Sequence, residues 1–438
     1  MIGHQKSHQC NSGGGNCIPA MPLDGENLSA GLRLRTVSDE RDVERFIAFN
    51  AAVNGESEGV ICRRLLYGHP TVRREDFVLI EDEKSGEVVS STCLIPWRFR
   101  LEGITLDVAM LEMVLTHPDY RKRGLVRTQV QHFHETVRAR GFDLCVITGI
   151  AYYYRQFGYA YALDLDAADS LPAWRIPERL APLAQAYHLR PAASADAPLL
   201  AALYEQGMQG LGFCTLRTAE YWRYLLERAQ APMWLLEERE SGRAVGYLST
   251  ALLPGNRGIR VSESVVPGYE AGLAVFGALK GETNGEIQLG WPQTGALVQL
   301  ARSLGSTPLP GYQWLVRIPD TAAWLRKIGP ALEERLAASP AAGLTGELII
   351  NLYREGFRLR FAAGRLSSVD ALGFVDASMG ADGGDLCIPP EAFVRLTLGY
   401  RNLDELRDAW PDITIRPERR LLVDVLFPRL DSYLCAIY

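Results

Sequence analysis

The sequence predicts a multidomain protein of mixed α/β and α+β class, and three observations carry that expectation. A chain of 438 residues is too long for one ordinary core, so two to four domains are expected. Apolar content of 47% with 22% charged residues is that of a globular chain. A strand, a Ser-Gly turn and a second strand, Val78 to Val89, return 156 residues later as Trp234 to Val245. That interval spans a whole domain, so two copies of one α/β domain are expected.

Each copy opens on a Leu-Arg pair, Leu34-Arg35 and Leu189-Arg190, that leads into a polar, helical stretch. In the first copy the apolar run Met110 to Leu115 reads as a strand, Val126 to Arg140 as a helix and Leu144 to Thr148 as the fifth strand. In the second copy the strand Val261 to Val266 runs into Pro267-Gly268-Tyr269-Glu270-Ala271-Gly272-Leu273, which carries no arginine cluster. From about Ile318 the texture changes. Thr321 to Ala338 reads as one amphipathic helix, Gly346 to Phe361 as a hairpin turning at Glu355-Gly356, and Pro389-Pro390-Glu391 starts a helix with proline in its first turn. Segregated strands and helices make this last unit α+β. The expected boundaries are a disordered tail at 1–30, a first unit at 31–180, a second at 181–318 and a third at 319–438. In the tail, His4, His8, Cys10 and Cys17 surround Gly13-Gly14-Gly15; the spacing lacks the tight Cys pairs of zinc sites, so no metal is expected.

Composition excludes several classes. A net charge of −6 argues against general nucleic-acid binding. Eight scattered cysteines read as reduced thiols of a cytoplasmic protein. No run of about 18 apolar residues is present, so no membrane span is expected, and the N-terminus lacks a signal-peptide core.

The basic turn between strand and helix, Thr116 to Arg127, is the most specific chemistry in the chain. Arg121, Lys122, Arg123 and Arg127 surround Gly124. A turn that opens a helix directs free backbone N–H groups and the positive end of the helix dipole at one spot, which suits a pyrophosphate. Downstream stands Tyr152-Tyr153-Tyr154-Arg155-Gln156-Phe157-Gly158-Tyr159, either an aromatic packing cluster or a source of a neutral phenolic proton donor. Glu112 stands alone in an apolar strand, and its parity matches Val114; in a partly apolar cleft it would suit a base near neutral pH. His132, His134 and Glu135 lack the His-Glu-x-x-His spacing of a zinc hydrolase. His117 reads as a turn residue and Cys145 as a small buried thiol.

The order of elements, with Arg121-Lys122-Arg123-Gly124-Leu125-Val126 in place of the usual Arg/Gln-x-x-Gly-x-Gly/Ala, resembles the GNAT acetyltransferase superfamily. Val126 departs from the commonest form. Two tandem GNAT-like units, the turn, the Tyr154 element and an α+β C-terminal unit together resemble the bacterial Eis (enhanced intracellular survival) N-acetyltransferases from about Gly31 onward. The resemblance implies two GNAT-like domains followed by a sterol-carrier-like domain, and acetyl-CoA as co-substrate with no metal. It implies that the backbone of Val114, Leu115 and Thr116 meets the pantetheine arm. It implies that Arg121, Lys122, Arg123, Gly124, Leu125, Val126 and Arg127 hold the pyrophosphate, and that Gly149 and Ile150 line the cofactor. Tyr154 is then the proton donor to the CoA thiolate. The base is the terminal carboxylate of Tyr438 or the side chain of Glu112. A small-molecule or peptide amine is the acceptor, and the assembly is a homo-oligomer, a hexamer in the family. The rival class is an acyl-CoA- or lipid-binding protein whose GNAT unit senses rather than catalyses.

Overall fold

The computed structural model describes residues 26–28, 31–178, 185–228, 232–291, 294–376 and 383–435. The tail residues His4, His8, Cys10 and Cys17, and Tyr438, lie outside them.

The first part of the chain runs β1 (Glu26–Leu28), β2 (Leu32–Thr36), α1 (Glu40–Asn54), α2 (Glu56–Gly68), β3 (Phe77–Asp82), β4 (Val88–Leu101), β5 (Ile104–Thr116), α3 (Leu125–Arg140), β6 (Leu144–Ile147) and β7 (Ala160–Leu165). The middle runs β8 (Ala168–Pro172), β9 (Tyr187–Pro191), α4 (Ala197–Gly207), β10 (Phe213–Thr215), α5 (Ala219–Arg228), β11 (Met233–Glu238), β12 (Ala244–Leu252), β13 (Gly258–Val265), α6 (Tyr269–Glu282), β14 (Glu286–Trp291), α7 (Ala296–Ser303), β15 (Thr307–Leu309) and β16 (Tyr312–Arg317). The last part runs α8 (Thr321–Lys327), α9 (Gly329–Ala337), β17 (Gly346–Asn351), β18 (Gly356–Ala362), β19 (Arg365–Gly373), β20 (Leu386–Cys387), α10 (Pro390–Thr397), α11 (Leu403–Ala409), β21 (Thr414–Ile415), α12 (Arg420–Leu426) and β22 (Ser432–Tyr433).

These strands form three sheets among the described residues. The first has the order β1-β2-β3-β4-β5-β6-β16-β7, with β10 and β22 extending it beside β4. The second is β15-β8-β14-β13-β12-β11-β9, and the third is β19-β18-β17-β20-β21. Strands therefore cross the expected boundaries. β16, assigned by sequence to the second unit, lies between β6 and β7 of the first sheet. β8, assigned to the first unit, pairs with β14 and β15 of the second.

The two repeated hairpins fold alike, and each carries the same ion triad. Arg35 on β2 bonds Asp42 of α1 at 2.5 Å and Glu81 of β3 at 3.0 Å. Arg190 on β9 bonds Asp196 just before α4 at 2.7 Å and Glu237 of β11 at 2.6 Å. In both, the arginine joins a helix start to a neighbouring strand, where a planar guanidinium can serve two carboxylates at once.

One element differs from its reading. Thr321 to Ala338 is two helices, α8 and α9, separated at Ile328. Pro330 has no N–H to bond the turn before it, so the first helix stops and proline begins the second.

Candidate active site

The first sheet opens between β5 and β6. β5 and β6 pair in parallel at Val108↔Leu144, Ala109↔Cys145 and Met110↔Val146. β6 ends at Ile147, whereas β5 runs on to Thr116. Past Met110 the edge of β5 facing β6 is therefore outside the ladder, and its backbone groups are open to an extended ligand that adds as a strand would. Val114, Leu115 and Thr116, expected to meet a pantetheine arm, lie on this stretch and are half-buried.

A bulge shapes the same stretch. Ser91 faces Leu115 and Cys93 faces Glu112 across β4, so β5 holds one residue more than its partner there. Met113 takes the extra turn with φ +54°. Met110 and Met113 both pack with the core under α1 and α2, while Leu111 and Val114 both pack with the core under α3. Alternation is thus broken, and Glu112 does not share a face with Val114 as its parity predicts. The side chains of β4 brace the bulge. Ser91 Oγ donates to the Met113 carbonyl at 3.0 Å, Thr92 Oγ1 to the Glu112 carbonyl at 3.2 Å and Ser90 Oγ to the Leu115 carbonyl at 2.7 Å.

At the end of β5 the chain turns through a short 3-10 segment, Pro118–Tyr120, into the basic loop and α3. Arg121, Lys122, Arg123 and Gly124 are exposed. Lys122 and Gly124 have φ of +63° and +81°, the left-handed conformation that only glycine adopts without strain. No side chain caps α3, and its first internal bond is Thr128 N–H to the Gly124 carbonyl at 3.1 Å. The N–H groups of Leu125, Val126 and Arg127 precede that bond and face out of the helix end, where the dipole amounts to about half a positive charge. Arg123 lies over the Tyr120 ring at 4.5 Å, and Tyr120 in turn donates to Asp82 at 2.8 Å, so the loop is braced against the β3–β4 hairpin. Arg127 donates to Gln156 at 3.1 Å, which ties α3 to the aromatic turn. His117 is a turn residue, its Nδ1 accepting the Asp119 N–H at 3.3 Å.

The aromatic turn after β6 is a 3-10 segment, Tyr153–Phe157, bounded by Tyr152 and Gly158, both left-handed. It buries Tyr154 and leaves Tyr152 exposed. Gly149 makes room for it: a Cβ there would stand 2.1 Å from the Tyr154 ring. Tyr153, at 5.2 Å between ring centroids, and Tyr159, at 6.1 Å, hold the ring edge-on. Burial, then the charge of Glu112, then Tyr153 push the Tyr154 phenol upward, so it stays protonated through neutral and alkaline pH. Glu112 is half-buried and accepts from Thr148 Oγ1 at 3.3 Å, across the mouth of the opening. Sequence reading missed Thr148, because a lone threonine at a strand end carries no pattern. Ile150 is exposed beside this turn.

Cys145 is buried, and burial raises its thiol to about 11, which leaves almost no thiolate to carry an acyl group. The connection from β13 to α6 in the second sheet has no counterpart of the basic loop. Only Val266, Pro267 and Gly268 separate β13 from α6, against eight residues between β5 and α3. β13 and β14 also stay paired as far as Glu263↔Trp291, so that sheet does not splay.

Residues 33–162 match the acetyltransferase (GNAT) domain family. A search of curated proteins finds no relative by sequence. Solved structures match over nearly the whole chain. A GCN5-related N-acetyltransferase from Anabaena variabilis aligns with a TM-score of 0.67 at 15% identity, covering 92% of this chain and 99% of its own. A probable N-acyltransferase from Enterococcus faecalis gives 0.69 at 13% identity, covering 93% and 100%. Eis1 from Mycobacterium abscessus gives 0.61 at 17% identity, also covering 93% and 100%.

Proposed function

We propose that this chain, whose residues 33–162 match the GNAT domain family and whose fold is similar to that of Eis1, is an Eis-like member of the GNAT superfamily and moves an acetyl group from acetyl-CoA to an amine by direct attack in a ternary complex. The observation that carries this is the open edge of β5 leading into the uncapped N-terminus of α3, with the Tyr154 turn beside it. The pantetheine arm lies along Val114 to Thr116, and its pyrophosphate sits on the N–H groups of Leu125 to Arg127 with Arg121, Lys122 and Arg123 supplying charge. Gly149 and Ile150 flank the arm on the β6 side.

The amine must lose a proton to attack, and the carboxylate that the described residues bring to this opening is Glu112; Tyr438, the other expected base, lies outside them. The thioester oxygen gathers negative charge, which the open N–H groups of β5 stabilise. Tyr154, kept neutral by burial, gives its proton to the leaving thiolate. The buried Cys145 supports direct transfer over an acyl-cysteine intermediate. Holding both reactants together supplies much of the rate gain.

The repeated hairpins and ion triads support a reading of the first two sheets as tandem GNAT-like units, of which only the first holds acetyl-CoA. The α+β third unit is read as sterol-carrier-like. The test is acetyl-CoA-dependent release of CoA with a panel of amines, small and peptidic. Release that depends on the amine supports the reading. Tight acetyl-CoA binding with no release from any amine favours the sensing role instead. Arg121→Ala combined with Arg123→Ala is expected to weaken acetyl-CoA binding at least tenfold by calorimetry; unchanged binding removes the loop from the donor site.

A further inference from the structure

The parallel ladder of β5 and β6 ends at Met110↔Val146. Counted on by two residues, its register sets Glu112 level with Thr148. There side chains join the two strands: Thr148 Oγ1 donates to Glu112 Oε1 at 3.3 Å. Both residues are half-buried. An ionised carboxylate can only accept, so the hydroxyl proton is committed to it.

The pair lies on one face of the sheet. Met110 and Val146 pack with the core under α1 and α2, whereas Leu111 and Ile147 pack with the core under α3. Alternation past Ile147 returns Thr148 to the α1–α2 face. Glu112 faces Cys93 across the β4–β5 ladder, and Cys93 belongs to the α1–α2 core. Tyr154 packs from the other face, with Leu111 and Ile147. A thioester in the opening therefore has a carboxylate on one side of the sheet and a phenol on the other. Glutamate is a long side chain with much rotamer freedom, and a base must be held near the proton it takes.

We infer that Thr148 is a positioning residue: its hydroxyl holds the Glu112 carboxylate across the mouth, on the α1–α2 face, where the attacking amine gives up its proton. This rests on the acetyl-transfer reading. The amine nitrogen bonds the acetyl carbon and its proton passes to Glu112. The C–S bond breaks, and the thiolate takes the proton of Tyr154. Solvent then removes the proton from Glu112 and restores that of Tyr154. Burial first and the Glu112 charge second raise the Tyr154 phenol. Proton uptake by Glu112 cancels the second effect, so Tyr154 becomes the stronger acid as the thiolate departs.

Thr148→Val keeps the shape and removes the donor, whereas Thr148→Ser keeps the donor. Cys62 of α2 beside Met113, Cys93 of β4, and Tyr154 are the titratable neighbours on three elements. Burial raises all three, so each stays neutral while Glu112 titrates. Glutamate is labelled isotopically at the carboxyl carbon, and the Glu112 signal is assigned by its loss in Glu112→Gln. The lost bond favoured the ionised form, so in Thr148→Val the Glu112 midpoint by NMR should rise by about one pH unit. In the same variant kcat should fall roughly tenfold, with its acid limb moved to higher pH and KM for acetyl-CoA unaltered. Thr148→Ser should restore both. An unmoved midpoint overturns the bond. A moved midpoint with unchanged kcat, or Glu112→Gln as active as wild type, overturns the positioning role. If Thr148→Val does not fold, Thr148→Ala takes its place under the same readings. A wild-type chain inactive with every amine defeats the transfer reading alone, because the midpoint still reports on the bond.

Discussion

At the residue scale, three side chains give separable outcomes. Tyr154→Phe keeps the ring that packs on Gly149 and removes only the proton, so kcat should fall by roughly 100-fold, the lower end of a general acid's contribution, with acetyl-CoA affinity little changed; steady-state kinetics beside calorimetry would show it, and unaltered turnover removes Tyr154 from the role. Gly149→Ala asks a Cβ to stand 2.1 Å from that ring. The ring must shift, and turnover should drop with the Tyr154 hydroxyl still present. His69 reports on pH instead. Burial lowers its pKa from 6.5 to about 4, its Nε2 has no hydrogen-bond partner, and Trp97, Tyr221 and Tyr224 enclose the ring. The unfolded chain takes up a proton near pH 6.5 that the folded chain refuses until about pH 4. The contribution of neutral His69 is therefore whole above pH 6.5 and lost as pH falls. Between pH 7.5 and 5 the wild type should lose about 2 kcal/mol more than His69→Gln in urea unfolding; equal losses would show that His69 titrates normally.

At the element scale, the loop before α3 depends on Gly124. Its φ of +81° suits glycine, and the space a Cβ would fill is open, the same space an anion needs to approach the helix end. Gly124→Ala should cost about 1 kcal/mol of local strain and weaken acetyl-CoA binding severalfold by calorimetry, whereas Gly86→Ala, equally left-handed but remote in the β3–β4 turn, should leave binding unchanged. Elements whose signals are local were legible in the sequence. The Ser-Gly hairpins, the strand–loop–helix at Thr116 to Arg140 and the hairpin of Gly346 to Phe361 each follow from residues within a few positions of one another, although the last turns at Leu352 to Glu355, with Tyr353 left-handed, and Gly356 already pairs with Asn351. The bulge at Met113 was not legible, because a methionine with positive φ is imposed by the braces Ser90, Ser91 and Thr92 on another strand. For the same reason the parity of Glu112 misled. The break at Ile328 was legible in principle, since Gly329-Pro330 stands in the middle of the apolar pattern, but the pattern continues in register on either side of it.

At the scale of the whole molecule, the exchange of strands binds the parts together. β16 supplies the strand between β6 and β7, and β10 and β22 extend β4. Side-chain bonds add to this: Arg155 to Glu391 at 3.1 Å, Tyr400 to Asp164 at 3.0 Å and Arg335 to Glu102 at 3.1 Å join the first sheet's region to the third part of the chain. None of these partners is near in sequence, so neither periodicity nor turn chemistry could announce them. A fragment of residues 31–180 should therefore lack a folded first sheet, with β6 and β7 unpaired on their shared side, and give few dispersed amide signals by NMR. A fragment of 31–318 should restore many of them. A well-dispersed spectrum from the shorter fragment would show that β16 is dispensable.

The place of β16 also sets an order of events during synthesis. Residues 144–165 leave the ribosome about 150 residues ahead of the strand that must lie between them. Through that interval β6 offers one unsatisfied edge and β7 another, each bordered by apolar side chains. The nascent chain has to keep those edges from meeting each other, or those of a neighbouring chain, until Tyr312 to Arg317 emerge. Slower translation across the middle of the message would lengthen that exposed interval, and translation rate thereby becomes a determinant of how much protein reaches the native state.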